Sequence, residues 1–247
     1  LITGAAHRIG AYLAKGLAAD GFAVVIHYNQ SADGAAALQD EIQAAGGTAE
    51  ILQADLTCED QVQKLIPAAE QALGGPLGLL INNASLFEHD DAMTATRASW
   101  DAHIEANLRA PFVLSQQVAK SLPDDAEGLI INLLDQRIWK LTPQFVSYTL
   151  SKTGLWTLTQ TLAQGLAHRI RVNAIGPGPT LRNARQSDEH FQKQLDGVVL
   201  ERGPDLSEFI EAVRFMLTAR SMTGQMIALD GGQHLGWQTP DIVGIVE

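Results

Sequence analysis

The feature that most restricts how this chain can fold is an alternation: apolar runs of strand length are separated by longer segments of helical period. The runs fall at 23–26, 49–52, 77–81, 129–133, 171–175 and 226–229. Between them lie helical segments at 35–45, 59–73, 99–121 and 148–167, and a mixed loop and helix region runs to 217. Runs without a polar face must be covered on both sides, and helices between successive strands make the sheet parallel. The expectation is an α/β fold, a doubly wound parallel sheet with helices on both faces. No repeat, low-complexity tract or linker divides residues 1–247, so one domain is expected. The one long polar stretch punctuated by Gly and Pro, 177–205, reads as a substrate lid. The abrupt opening on Leu1-Ile2, directly before Thr3-Gly4, suggests a first strand whose front lies upstream.

Charge narrows the partners. With 17 Lys and Arg against 28 Asp and Glu, a formal net charge of −11, nucleic acid and anionic membrane surfaces are disfavoured. An anionic small molecule must be held locally, by backbone dipoles or a few placed cations. No apolar run reaches the roughly 18 residues of a membrane span, and no charged and apolar leader opens the chain. The single cysteine, Cys58, permits no intramolecular disulfide and reads as a small packed side chain. His190 and His234 have no partner at ligand spacing and no Cys/His cluster exists, so no metal is expected. A cytoplasmic protein acting on a small molecule fits these bounds.

Ser147-Tyr148-Thr149-Leu150-Ser151-Lys152 opens one of the helical segments, and Tyr148 and Lys152, four residues apart, stand one turn above each other. An ammonium beside a phenol favours the phenolate and lowers its pKa toward working pH. Such a tyrosine can pass a proton to a carbonyl or imine as that group is reduced. At the front of the chain, Thr3-Gly4-Ala5-Ala6-His7-Arg8-Ile9-Gly10 forms a small-residue turn between a strand and a helix beginning near Ala11. Its backbone can approach a pyrophosphate, and the free N–H groups of the helix start attract it. The next strand ends Ile26-His27-Tyr28-Asn29-Gln30-Ser31 without the carboxylate that would hold ribose hydroxyls, and His7 and Arg8 lie on the neighbouring turn. Donors and a cation there favour a 2′-phosphate, and hence NADP(H).

Together with Ala54-Asp55-Leu56, Asn82-Asn83-Ala84-Ser85, Asn107, Pro177-Gly178 and Leu229-Asp230-Gly231-Gly232, these motifs make the chain resemble the short-chain dehydrogenase/reductase family over essentially its whole length. The resemblance implies a cofactor site. Gly4, His7, Arg8, Ile9 and Gly10 would meet the diphosphate, and Asp55 with Leu56 the adenine. Asn83, Ala84 and Ser85 would line the ribose and nicotinamide side, and Pro177-Gly178-Pro179-Thr180 would close on the carboxamide. Lys152 would bind the nicotinamide ribose besides tuning Tyr148, and Asn107 would hold a proton-relaying water. Asn82-Asn83 and Asp230-Gly231 also read simply as strand-ending and turn residues. By resemblance the assembly is a homotetramer built through the long helices and the last strand, and the apolar tail 242–246 reads as ordered by a neighbouring subunit.

Two departures narrow the reading. The family's serine, thirteen residues before the tyrosine, is here Asp135, and Arg8 replaces the middle glycine of the turn. A carboxyl donates only when protonated, so Asp135 suits a substrate with N–H donors or one protonated at nitrogen. Both departures are shared with the pteridine reductases of the family. The likeness implies that Phe87 stacks on a pterin ring and that Ser85 and Arg8 contact it, although Phe87 also reads as a loop anchor. Gln30 departs from the arginine of those enzymes and leaves Asn29 and Ser31 to share the 2′-phosphate. The acidic run at 88–91 reads as a solvated loop more than as a pocket rim. The expected activity is NADPH-dependent reduction of a pterin-like C=N bond, with catalysis by Tyr148, Lys152, Asp135 and Asn107. The alternatives are a carbonyl reductase for a small ketone, sugar or acyl substrate, and a non-catalytic NADP(H) sensor.

Overall fold

Six strands alternate with helices in a computed structural model that describes residues 1–182, 186–239 and 242–244. The strands are β1 (Val24–Tyr28), β2 (Ala49–Gln53), β3 (Leu79–Asn82), β4 (Gly128–Leu133), β5 (Ile170–Pro177) and β6 (Met226–Leu229). The helices are α1 (Arg8–Ala19), α2 (Ala32–Ala44), α3 (Glu59–Leu73), α4 (Arg97–Ile104), α5 (Ala110–Ser121), α6 (Val146–Gly165), α7 (Asp188–Asp196) and α8 (Leu206–Thr218). β1 pairs with β2, and β3, β4, β5 and β6 follow in that order, every pair parallel. Residues 1–3 join the two sets at the centre, because Ile2 bridges in parallel to both Ile26 and Ile81. From there the chain turns outward to β1 and β2 and returns on the other side at β3. The loops after Thr3 and after Asn82 therefore diverge at the switch point where doubly wound folds bind ligands.

The apolar runs are covered on both faces, as their composition requires. Along β1, Val24 and Ile26 join one core with Leu13, Leu17, Leu38, Phe209 and Met216, from α1, α2 and α8. Val25 points the other way, into a core with Val62, Leu65, Ile66, Val113 and Leu114 from α3 and α5. The same alternation recurs on β4, where Leu129 and Ile131 face the first core and Ile130 the second. Each such fully buried Ile or Leu contributes about 1.5–3 kcal/mol relative to exposure.

Two differences from the sequence reading bear on the site. The turn joins α1 at Arg8 rather than near Ala11. The segment expected as one helix over 99–121 is interrupted by a π-helical turn, Glu105–Arg109, between α4 and α5. Asn107 lies inside that turn, where an extra residue per turn redirects a side chain that a regular helix would place elsewhere. Within 177–205 stands α7, none of whose side chains is buried; residues 183–185 lie outside the described residues, as do Ile245 and Val246 of the apolar tail. Among the described residues no helix is long and apolar enough to cross a membrane, and no His, Cys, Asp and Glu cluster could hold a metal.

Candidate active site

The carboxyl ends of β3, β4 and β5 open on a cleft of about 870 Å³ lined by Arg8, Asn83, Asp135, Tyr148, Lys152 and Gly178 among others. Asp135 ends the segment after β4, and Tyr148 and Lys152 stand on the first turns of α6, both with side chains almost wholly buried. The Tyr148 hydroxyl donates to Asp135 Oδ2 at 2.8 Å. Lys152 Nζ donates to the Leu133 carbonyl at 2.7 Å and lies 5.9 Å from the centre of the Tyr148 ring.

The electrostatics differ from those expected of the tyrosine and lysine alone. The Tyr148 phenol is held well above its ordinary range, first by burial and then by the Asp135 carboxyl, with Arg137 and Ser85 opposing. Burial raises Asp135 as well, against its hydrogen bonds from the Arg137 N–H and Tyr148. Lys152 is lowered by burial to about 8. The expected lowering of the phenol is thus reversed, because removal from water and a neighbouring carboxyl outweigh the cations. Burial thus biases both members of the Tyr148–Asp135 pair toward their protonated forms.

Asn107 accepts from the Leu86 N–H at 2.8 Å and donates to the Leu86 carbonyl at 2.9 Å and to Ser151 Oγ at 3.0 Å. Its amide therefore fastens the loop after β3 to α6, one residue from Lys152.

The turn after Thr3 is bare main chain pinned by the side chains of Thr3, Asn83 and His27. Gly4 has a φ of +61°, and a β-carbon there would lie 2.9 Å from Ala84 Cα; one on Gly10 would lie 2.6 Å from Asn83 Nδ2. Thr3 Oγ1 accepts from the N–H groups of Asn83 and Ala84, both at 3.0 Å. Asn83 Nδ2 donates back to the carbonyls of Thr3 and Gly4 at 2.8 and 3.0 Å. Buried His27 closes the arrangement: Nδ1 accepts from the Gly4 N–H at 3.0 Å and Nε2 faces the Ala54 carbonyl at 3.0 Å. Burial lowers its pKa to about 4, so it is neutral and belongs to the scaffold.

Arg8 takes the left-handed backbone of the glycine it replaces, at φ 57°, a conformation that costs an L residue about 1–2 kcal/mol. Its two Nη atoms donate to the carbonyls of Leu181 and Arg182, both at 2.9 Å, so it reaches across to the segment after β5. Exposed His7 lies against Gly34 of α2, where a β-carbon would collide with its ring. Asn29 and Gln30 are exposed and Ser31 half-buried beside it. Ile9 lines the cleft and is half-buried.

On the turn after β2, Asp55 accepts from the Thr57 N–H and hydroxyl at 2.9 and 2.8 Å, bracing the start of α3. The Leu56 side chain is buried in the core and offers a ligand nothing but its main chain. Gly178 donates to the Leu229 carbonyl at 2.9 Å, and a β-carbon on it would meet Asp230 Cα at 2.6 Å. Thr180 Oγ1 donates to the Gly178 carbonyl at 3.1 Å. Asp230 in turn caps Gly232 and His234, so the closing turn and the Pro177-Gly178 loop form one unit.

The substrate side contains residues that the motifs did not reveal. Phe87, half-buried, stacks on Phe145 at 4.4 Å with planes 10° apart, and meets Tyr148 edge-on at 4.6 Å. Ser85 beside it is exposed. Phe145 immediately precedes α6 with φ 58°, and its N–H donates to the Asp90 carbonyl at 2.6 Å. The acidic run at 88–91 is not merely a solvated loop. Asp90 is 2% exposed and accepts from the Ser147 hydroxyl. Ser147 Oγ also lies 2.7 Å from His103 Nδ1, while His103 Nε2 accepts from the Glu88 N–H at 3.0 Å. These buried groups join the Phe87 loop, α4 and the start of α6. A polar residue before an aromatic-rich loop gives no sequence signal of such a network; only its burial does.

A bare backbone turn at the switch point, with a buried tyrosine, lysine and carboxyl converging on the same cleft, defines a dinucleotide-dependent oxidoreductase of the doubly wound class. The chain belongs to the short chain dehydrogenase family, whose model matches residues 1–193. It is similar to FolM alternative dihydrofolate reductase 1 from Brucella canis, solved in complex with NADP: 51% identity and a TM-score of 0.95 over 98% of this chain and 96% of that one. A short chain dehydrogenase from Burkholderia cenocepacia, also in complex with NADP, is 32% identical with a TM-score of 0.87, over 94% of this chain and 96% of its own. The 3-oxoacyl-acyl-carrier-protein reductase FabG from Staphylococcus epidermidis is 32% identical over 241 residues, 95% of this chain and 98% of the relative.

Proposed function

We propose that this NADP-dependent oxidoreductase reduces a C=N bond of a pterin-like heterocycle, a dihydropterin or dihydrofolate. The observation that carries the reading is the 2.8 Å hydrogen bond between the Tyr148 hydroxyl and Asp135, a carboxyl where the family has a serine. Burial holds both groups toward their protonated forms, which suits delivery of a proton to a ring nitrogen. The 51% identity to FolM from Brucella canis supports the same substrate class.

The residues present fit the cofactor. At Gly4, Gly10 and Gly178 a β-carbon would strike Ala84, Asn83 and Asp230, so only glycine lets these turns pack together and present bare main chain, which suits a diphosphate. Gly4, Ile9, Gly10, Asn83, Ala84, Pro177, Gly178 and Thr180 would hold the diphosphate and nicotinamide half. Asp55 and the main chain of Leu56 would hold the adenine, and His7, Asn29, Gln30 and Ser31 the 2′-phosphate. When bound, the nicotinamide supplies the hydride. Lys152 would hold the adjacent ribose, and its charge steadies the Tyr148 oxygen as the proton leaves. Asp135 replenishes that proton or passes one through water. Phe87, backed by Phe145, orients a flat ring, and Ser85 and Arg8 lie where they would border it. Asn107 fixes the loop that carries these residues to α6. Residues 177–205 would act as the lid, with Arg8 as its tie. The reading includes a cytoplasmic homotetramer, which light scattering in solution would check.

A second reading is favoured by the likeness to FabG: reduction of a 3-oxoacyl or other small carbonyl substrate. NADPH oxidation followed with dihydrobiopterin, dihydrofolate, a 3-oxoacyl thioester and simple ketones separates the two. Turnover of the pterins well above the carbonyl compounds is expected; turnover confined to the carbonyl compounds overturns the pterin assignment. A higher specificity constant for NADH than for NADPH would overturn the 2′-phosphate site.

A further inference from the structure

The wall of the cleft carries a cation that forms no direct ion pair among the described residues. Arg137 follows Asp135 by two residues, and its backbone N–H donates to Asp135 Oδ1 at 2.8 Å. Its guanidinium carbon lies 4.9 Å from the centre of the Phe145 ring and 5.7 Å from that of Phe87. Nη1 donates to Thr142 Oγ1 at 3.0 Å. Among the described residues no carboxylate lies within ion-pair distance of Arg137, whereas Arg97, Arg109, Arg182, Arg214 and Arg220 each have one. A guanidinium has five N–H donors in a fixed fork, so the single bond from Nη1 to a hydroxyl uses only part of that capacity, and Arg137 lines the cleft.

Among the described residues, Arg8 and Lys152 of the cleft are engaged. Arg8 donates through both Nη atoms to main-chain carbonyls, and Lys152 to the Leu133 carbonyl. Asp135 and Glu88 also line the cleft, and the chain is acidic throughout. An anion entering it therefore needs a local cation. The platform under Arg137 is preorganised: Phe145 is held in left-handed backbone by its N–H bond to Asp90, and Asp90 by Ser147. A planar fork resting on rigid aromatic rings is suited to two-point recognition of a carboxylate.

We propose that Arg137, supported by Phe145, is a subsite for a carboxylate on the extension of the substrate ring, so that the enzyme favours heterocycles with an anionic tail over those with a neutral hydroxylated one. The site deepens the pterin reading and rests on it for the ring, and its test also has a binding arm that needs no turnover. In steady-state assays Arg137→Met should raise KM for dihydrofolate about tenfold more than KM for dihydrobiopterin, with Arg137→Lys recovering part of the difference. Calorimetric titration of the NADP⁺-loaded protein with p-aminobenzoyl-glutamate should show binding that weakens about tenfold in Arg137→Met, while p-aminobenzamide, which lacks the carboxylates, shows no such dependence. Unchanged NADP⁺ affinity and melting temperature would establish that the variants are folded. Equal KM shifts for the two pterins, or no Arg137-dependent binding of the anionic fragment, overturn the subsite. If neither pterin is turned over, the reductase reading fails instead, and the titration alone decides for or against Arg137.

Discussion

The two halves of the cleft are built from different materials. On the cofactor side the surface is main chain, pinned from behind by side chains that bond only to backbone: Thr3 Oγ1 takes the N–H groups of two residues, Asn83 returns two bonds, and His27 ties Gly4 to Ala54. On the opposite side it belongs to side chains from separate segments: Phe87, Asp135, Arg137, Phe145 and Tyr148, fitted together by ring contacts and one hydroxyl–carboxyl hydrogen bond. A backbone cradle admits few residue types where a β-carbon would collide, as at Gly4 and Gly10. A nest of side chains can exchange a serine for an aspartate and redirect the chemistry while the cradle stays as it is.

Substitutions can break this comparison or sharpen it. The largest effect is expected from Tyr148→Phe, which removes the proton donor and should lower kcat about a thousandfold while NADP⁺ affinity, measured by fluorescence titration, stays within a few fold. A comparable loss of cofactor affinity would mean that the halves are not separable. Asp135→Ala should lower kcat on a dihydropterin about a hundredfold; unchanged turnover would remove the carboxyl from the mechanism. Gly10→Ala tests the opposite half. Its β-carbon must displace Asn83 Nδ2, so the dissociation constant for NADP⁺ should rise about tenfold, with kcat at saturation little altered.

The smallest effects are on stability, and here the halves should respond with the same sign but in different pH windows. Burial lowers His27 from its ordinary 6.5 to about 4. Between those values the unfolded chain binds a proton that the folded one does not, so stability falls as pH falls through that window. Lys152 is lowered from 10.5 to about 8, so by the same reasoning stability rises with pH between 8 and 10.5. Each slope is at most about 1.4 kcal/mol per pH unit. Denaturant midpoints across both windows check it: His27→Asn should flatten the acid limb and Lys152→Met the alkaline one.

The sheet was legible because its apolar runs have no polar face, and the cradle because Gly4, Gly10 and Gly178 stand where a β-carbon cannot. Tyr148 and Lys152 were legible from their spacing and Asp135 from the family resemblance, and the structure brings them together. Their protonation was not, because spacing shows charges but not burial, and burial decides the state of Tyr148. Phe145 and Arg137 escaped notice for a related reason. Neither sits at a position that a motif demands, and their meaning arises only when loops more than fifty residues apart, one with Phe87 and one with Phe145, are folded face to face. Asp90 read as part of a solvated acidic loop because its partners, Ser147 and His103, are remote in sequence.

The π-helical turn at Glu105–Arg109 has a consequence for how this enzyme can be lost. Deleting one residue there would let α4 and α5 heal into a continuous regular helix, with a better hydrogen-bond ladder and a rotation of roughly 100° in everything on one side of the scar. Asn107 would swing off Leu86 and Ser151. Selection for thermal robustness alone would welcome such a repair, so the irregularity marks a place where the chain keeps a less comfortable helix in exchange for a working one.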